Sequence, residues 1–228
     1  MYAPTLFLCW PARLELAPDD LALLRQHLAG VAGLAQALAF TPIQIAPDQP
    51  YAADGRGPAL TIELRFGDAR SLENAALAEL VADGALPSLG GASAEAQAMW
   101  GREFPTPEPD FHLADGELAC TFLVEYPEEC ADPAAWLDHY DAHHPAIMVR
   151  FPEVREVATF RPAPELRLAP RCKTARSMQR NKVVFDSGEA LARALASPVM
   201  LEMRADSAGF PPVSRRPTHY PMATHRLL

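Results

Sequence analysis

The chain has 228 residues, of which 49% are hydrophobic and 21% charged, with a formal net charge of −9. This composition fits a folded chain of one large domain or two small ones and excludes a disordered one. The acidic balance argues against nucleic acid as a partner, because phosphate binding needs a basic surface, and no apolar run reaches the roughly 20 residues that span a bilayer.

The four cysteines, Cys9, Cys120, Cys130 and Cys172, show neither paired nor metal-ligand spacing. The start, Met1-Tyr2-Ala3-Pro4, lacks the basic opening of a secretory leader. A cytoplasmic protein with no membrane partner is therefore expected.

In chain order, the apolar run Thr5 to Trp10 predicts a buried strand. Pro18-Asp19-Asp20 opens a helix whose apolar face is Leu21, Leu24 and Leu28. Ala37 to Ile45 reads as a strand and 48–57, rich in Pro, Gly and Asp, as a loop. Leu60 to Phe66 alternates as a strand, Ala69 to Ala82 reads as a helix, and Ala92 to Arg102 as a further short helix. The second half repeats the order. Leu118 to Tyr126 is strand-like, Asp132-Pro133 starts a helix, and Val154 to Arg161 and Asn181 to Phe185 are strands. The basic run Arg171 to Lys182 reads as an exposed loop. Helices follow from Ser187 to Ala196 and Val199 to Ala208, and His219 to Leu228 adds a last strand.

Each half thus reads β-α-β-β-α, a ferredoxin-like unit. The expected fold class is α+β, with two such repeats fused in one chain. The first spans 1–105, a linker 106–116, and the second 117–228. A four-stranded sheet leaves one face bare, so the two sheets are expected to pack face to face as a pseudo-dimeric α/β barrel.

The densest chemistry lies in Asp138-His139-Tyr140-Asp141-Ala142-His143-His144-Pro145. Histidine titrates near neutral pH, so this is where proton transfer is sought. On a helical wheel Tyr140, Ile147 and Phe151 share a face with Trp136, and His143 and His144 flank it. Asp138 and Asp141 point away, to solvent. Pro145 lacks an N–H for the carbonyl of Asp141, so a bend or restart is expected there, with His144 at the cap. His143 is the candidate general acid or base and Tyr140 its hydrogen-bond partner. Against that stands a plainer role for His143, bonding backbone freed at the proline. His139 and His143 are four apart, a spacing that can bind a metal from one helix face. A third ligand is missing nearby, with only His219 or His225 of the tail to supply one, so no metal is expected. Trp136, His139, His144, Arg155, His219 and Tyr220 complete the candidate ligand-binding set. Alternation turns His219 and Tyr220 to opposite faces of the last strand.

Tyr140 to Pro145, followed by Phe151-Pro152-Glu153-Val154-Arg155, resembles the signature of EthD-like proteins. Val183-Val184-Phe185-Asp186-Ser187, Glu189-Ala190-Leu191 and Ala196-Ser197-Pro198 resemble the family's third strand and second helix, and Asp206 and Phe210 its closing segment. Glu153 stands where the family usually has glycine. The match covers Leu118 to Leu228, and the first half matches by element order only. The resemblance implies a dimeric α/β barrel, here within one chain. Members of that superfamily include cofactor-free isomerases, cyclases, dehydratases and monooxygenases. The expected function is accordingly a cofactor-free enzyme using acid/base chemistry on a small hydrophobic or aromatic molecule, of isomerase, lyase/dehydratase or ring-modifying type. The alternative is a non-catalytic small-ligand-binding or accessory protein of the same fold. Such barrels can also pair as homodimers.

Overall fold

The computed structural model describes residues 2–11, 14–43, 51, 54–127, 130–168, 172–213 and 215–228. In the first half, β1 (Tyr2–Trp10) leads to α1 (Pro18–Leu28), β2 (Leu34–Pro42), β3 (Leu60–Phe66), α2 (Ala69–Glu73) and β4 (Glu95–Phe104). In the second, β5 (Cys120–Pro127) leads to α3 (Pro133–Met148), β6 (Glu156–Pro162), β7 (Lys173–Thr174) and β8 (Ser177–Phe185). Then come α4 (Gly188–Leu195), α5 (Val199–Ser207) and β9 (Thr218–Arg226).

The strands of the first half neighbour one another as β4-β1-β3-β2, and those of the second as β9-β5-β8-β6. Counted within its own half, and leaving out the two-residue β7, each order is 4-1-3-2. The halves then join twice, β2 with β9 and β4 with β6, both antiparallel. Eight strands therefore close into one barrel, with β7 added parallel to β4. The expected α/β barrel is present, and the expectation that its sheets pack face to face is sharpened: they are hydrogen-bonded edge to edge into one closed sheet. Sheets that did not join would leave unpaired N–H and C=O groups along four edges, and closure pairs those edges over Leu38–Pro42 with Met222–Arg226 and over Met99–Phe104 with Val157–Pro162.

Alternation along each strand sends one set of side chains outward and the other into the lumen. Outside the first half, Leu6, Leu8, Ile62 and Leu64 pack under Leu24 and Leu28 of α1. Outside the second, Phe122, Val183 and Phe185 pack under Trp136, Tyr140 and Leu191. Each such fully buried side chain contributes roughly 1.5–3 kcal/mol. The lumen holds Phe7, Met99, Ala158 and Phe160 at one level and Leu38, Phe40, Leu123 and Met222 at another. Between these lies a buried ionic group. Lys182 Nζ is 3.0 Å from Glu63 and 2.9 Å from Glu156, and Arg65 is 3.0 Å from Glu63.

Four local expectations are corrected. Residues 92–102 are not a helix, since β4 there fills the slot between β1 and β6. The helix expected over 69–82 ends at Glu73, where Asn74 bonds back to the Arg70 carbonyl and turns follow. The basic run 171–182 is not an exposed loop in its described part. Lys173–Thr174 is β7, and every residue of β8 from Ser177 onward is buried between β5 and β6. α3 does not break at Pro145 but runs continuously from Pro133 to Met148. The proline stands one turn from the helix end, where a single lost hydrogen bond is tolerated. Positions 44 and 45 of the second expected strand, and 48–50, 52 and 53 of the expected loop, lie outside the described residues. Glu153 has φ +60°, the left-handed region that favours glycine. Its carboxylate is held by Arg193 at 2.7 and 2.8 Å. Among the described residues no helix is long and apolar enough to cross a membrane.

Candidate active site

Asp132 caps α3 by accepting the Ala135 N–H at 3.0 Å, and Pro133 occupies the first turn, where its missing N–H costs nothing. From there Trp136, Tyr140, His144 and Met148 recur every fourth residue and form the buried stripe of the helix. α5 packs beside α3. Between these two helices and the outward face of β5, β8 and β9 lies a cavity of about 680 Å³. Phe122, Tyr126, Trp136 and Phe210 make much of its wall, and Arg204 and Arg216 also line it.

Two histidine–carboxylate pairs belong to this wall. His144 is buried, and its Nδ1 meets Asp206 Oδ2 at 2.6 Å. A carboxylate only accepts, so Nδ1 carries the hydrogen and Nε2 keeps its lone pair. Burial pushes the His144 imidazole below its ordinary pKa, and Asp206 offsets only part of that. Its ring packs against Tyr140 and Phe210, with centroids at 4.7 and 5.2 Å. In the second pair, Asp54 Oδ2 accepts from both the backbone N–H of His219 at 3.0 Å and its ring Nδ1–H at 2.7 Å. The His219 ring stacks on Tyr51 at 3.9 Å and faces Phe122 at 5.6 Å. Burial pushes this imidazole down as well, with Asp54 again opposing.

Asn181 supplies an unused polar atom. Its amide donates to the Tyr140 hydroxyl at 2.5 Å, while its Oδ1 is buried without a hydrogen-bond partner. Asn181 lines the cavity. Tyr140 itself is fully buried behind the wall, with its hydroxyl 3.4 Å from Met148 Sδ. Burial holds that phenol protonated, well above its usual pKa.

Of the residues singled out from sequence, Trp136, His144 and His219 line the cavity, and Tyr140 lies against His144. His144, placed at a cap by the wheel, is in fact deep in the α3–α5 seam. Continuity of the helix through Pro145 turns it inward. His143 is exposed and does not line the cavity. Its Nδ1 donates to the His139 carbonyl at 2.9 Å. His139 lies beside it, with Nε2 3.6 Å from Asp206 Oδ1. These two histidines and Asp206 are the described residues that could together hold a metal ion. Arg155 is buried and bound to Asp186 at 2.6 Å and to Glu108 at 3.2 Å. Tyr220 is on the lumen side, against Gly57 and the Leu38 cluster. Asp141, assigned to solvent by the wheel, is mostly buried and pairs with Arg161 at 2.9 Å.

Sequence reasoning did not find three residues of the wall and its support, Asp54, Asn181 and the anchoring role of Asp206. Asp54 belongs to a loop in the other half of the chain, and no local pattern ties it to His219.

No family model and no curated protein matches the chain. Solved structures do. An anthrone oxidase-like protein aligns over 99% of this chain and 93% of its own, at 12% identity and TM-score 0.55. A chlorite dismutase variant from Candidatus Nitrospira defluvii aligns over 97% and 91%, at 7% identity and TM-score 0.51. An EthD-family protein from Bacillus halodurans covers 47% of this chain and 97% of its own, at 15% identity and TM-score 0.36. Such identities speak for the fold, and the fold by itself selects no reaction. Strand order, closure and the likeness to the anthrone oxidase-like protein and the chlorite dismutase give the chain the α+β fold of the dimeric α/β barrels, a closed antiparallel eight-stranded barrel formed within one polypeptide.

Proposed function

We propose that the chain is an enzyme that takes a small, hydrophobic, ring-bearing molecule into the cavity of the second half and moves a proton on it. The observation that carries this reading is the pair of His–carboxylate dyads on one largely aromatic cavity. A carboxylate that fixes the tautomer of a neutral imidazole makes it a competent general base. His144 takes the base role in place of His143, because His144 lines the cavity and His143 does not. The matching substrate has a C–H acidified by a carbonyl conjugated with it through the ring system. His144 Nε2 accepts that proton, the C–H electron pair passes through the ring system into the carbonyl as an enolate, and Asn181 Oδ1 accepts from a hydroxyl on substrates whose rings carry one. His219 closes the opposite wall. The chemistry needs no cofactor for this step. Anthrone, the molecule in the name of the anthrone oxidase-like neighbour, is a fused-ring ketone with such a C–H and serves as the probe. The equal strand order of the halves supports reading them as copies of one unit, of which the second kept the working cavity.

The experiment follows anthrone binding by tryptophan fluorescence, Trp136 being the tryptophan in the cavity wall, and proton abstraction by deuterium uptake at the acidic carbon in D2O. Wild type is expected to bind and to accelerate uptake, and His144→Ala to lose about a hundredfold or more of that acceleration. Binding with no accelerated uptake would leave a carrier, the non-catalytic alternative, and unchanged uptake in His144→Ala would remove His144 from the base role.

A further inference from the structure

We infer that the seam of α3 and α5 carries a divalent transition-metal site built from His139, His143 and Asp206, a site beyond the proposed proton transfer. The potential ligand atoms of the three side chains lie within 4.8 Å of one another. His139 and His143 are one helical turn apart on α3, and Asp206 faces them from α5. Four features make this more than a chance cluster. His143 Nδ1 donates to the His139 carbonyl, which fixes its tautomer and leaves Nε2 with a free lone pair, the second-sphere arrangement usual for a ligating histidine. His139 Nε2 is buried and has no hydrogen-bond partner, a cost that a metal bond would remove. Asp206 uses Oδ2 on His144, and its Oδ1 is the oxygen 3.6 Å from His139 Nε2. Tetrahedral zinc with bonds near 2.0–2.1 Å needs ligand atoms roughly 3.3 Å apart, so that pair is nearly set. The remaining gap closes by a small tilt of the exposed His143 ring that keeps its hydrogen bond to the His139 carbonyl.

Two imidazoles and one carboxylate favour zinc and its neighbours in the transition series over calcium or magnesium, which prefer all-oxygen sites. The exposed side leaves a fourth position open to water or a ligand. The third ligand is not one of the tail histidines, because His219 is held by Asp54 and His225 by Thr41 at 2.9 Å. A bound ion would pin α5 to α3 and hold Asp206, on which His144 depends.

The test titrates tag-free protein with Zn2+ by calorimetry and with Co2+ by visible absorption. Wild type is expected to bind one ion per chain and to give the intense bands of low-coordinate cobalt. His143→Ala, an exposed position outside the cavity, should weaken binding at least tenfold while leaving circular dichroism and anthrone binding unchanged. His27→Ala, remote from the seam, should bind as wild type does. Absence of Zn2+ binding, or equal binding in wild type and His143→Ala, would overturn the site. Neither readout uses turnover, so failure here leaves the proposed proton transfer standing.

Discussion

Asp54 and His219, 165 positions apart, meet through two hydrogen bonds to a single carboxylate oxygen, at 3.0 and 2.7 Å. The contact ties a loop of the first half to the last strand and fixes one wall of the cavity. A carboxylate shared in this way orients the ring more tightly than a single bond would. Replacing Asp54 with alanine leaves a ring N–H and a backbone N–H to find new partners. The expected cost is about 1–3 kcal/mol in urea unfolding, together with weaker anthrone binding. Unchanged stability and unchanged binding would show that the pair orients nothing.

The acid side of the stability curve follows from the same burial. His219 and His225 are both pushed below the ordinary imidazole value, His219 chiefly by burial and His225 by burial with Arg25 adding to it. The unfolded chain protonates near pH 6.5, while the folded chain resists. Between those values the unfolded state binds more protons, so stability is full above about pH 6.5 and is lost as pH falls towards the folded values. The melting temperature should therefore drop from pH 7.5 to 5.5, and His219→Gln should shrink that drop. A flat or rising melting temperature over the same interval contradicts the assignment.

In the lumen, Lys182 joins the two halves through Glu63, and it also holds Glu156. Burial alone would lower the lysine pKa, but the two carboxylates outweigh it and raise it. Lys182→Met leaves Glu63 and Glu156 with Arg65 as their remaining ion-pair partner, at 3.0 and 4.0 Å, and should cost about 3–5 kcal/mol by chemical denaturation. Adding Glu63→Gln to that variant should recover part of the loss, a non-additivity that measures the coupling. Strict additivity would mean that the pair is screened.

At Gly101 in β4 the barrel wall leaves no room for a side chain. A Cβ there would lie 2.9 Å from the Phe160 ring and 3.0 Å from Thr5 Oγ1. Phe160 cannot retreat, because it meets Phe7 edge to face at 4.8 Å. Gly101→Ala should overpack the lumen and destabilise the chain by about 1–3 kcal/mol, read as a lower urea midpoint. A neutral outcome would imply free space that the packing does not show.

The sequence by itself determined most strands and the helices at Pro18, Pro133, Ser187 and Val199, and its motifs pointed to an α/β barrel. These rest on local period, caps and short motifs, which act within a few residues. The absence of glycine at 153 was legible too, and it corresponds to a left-handed backbone at that residue. Residues 92–102 misled because an alanine-rich segment suits a helix until two neighbouring strands claim its hydrogen bonds. Closure of the barrel, the inward turn of His144 and the pairing of His219 with Asp54 were decided only in the tertiary structure. Each depends on groups far apart in the chain whose partners no local pattern names. The histidine-rich segment announced its chemistry in the sequence, but helix continuity through Pro145 and the arrival of α5 decide which of its histidines faces the cavity and which face Asp206 from outside.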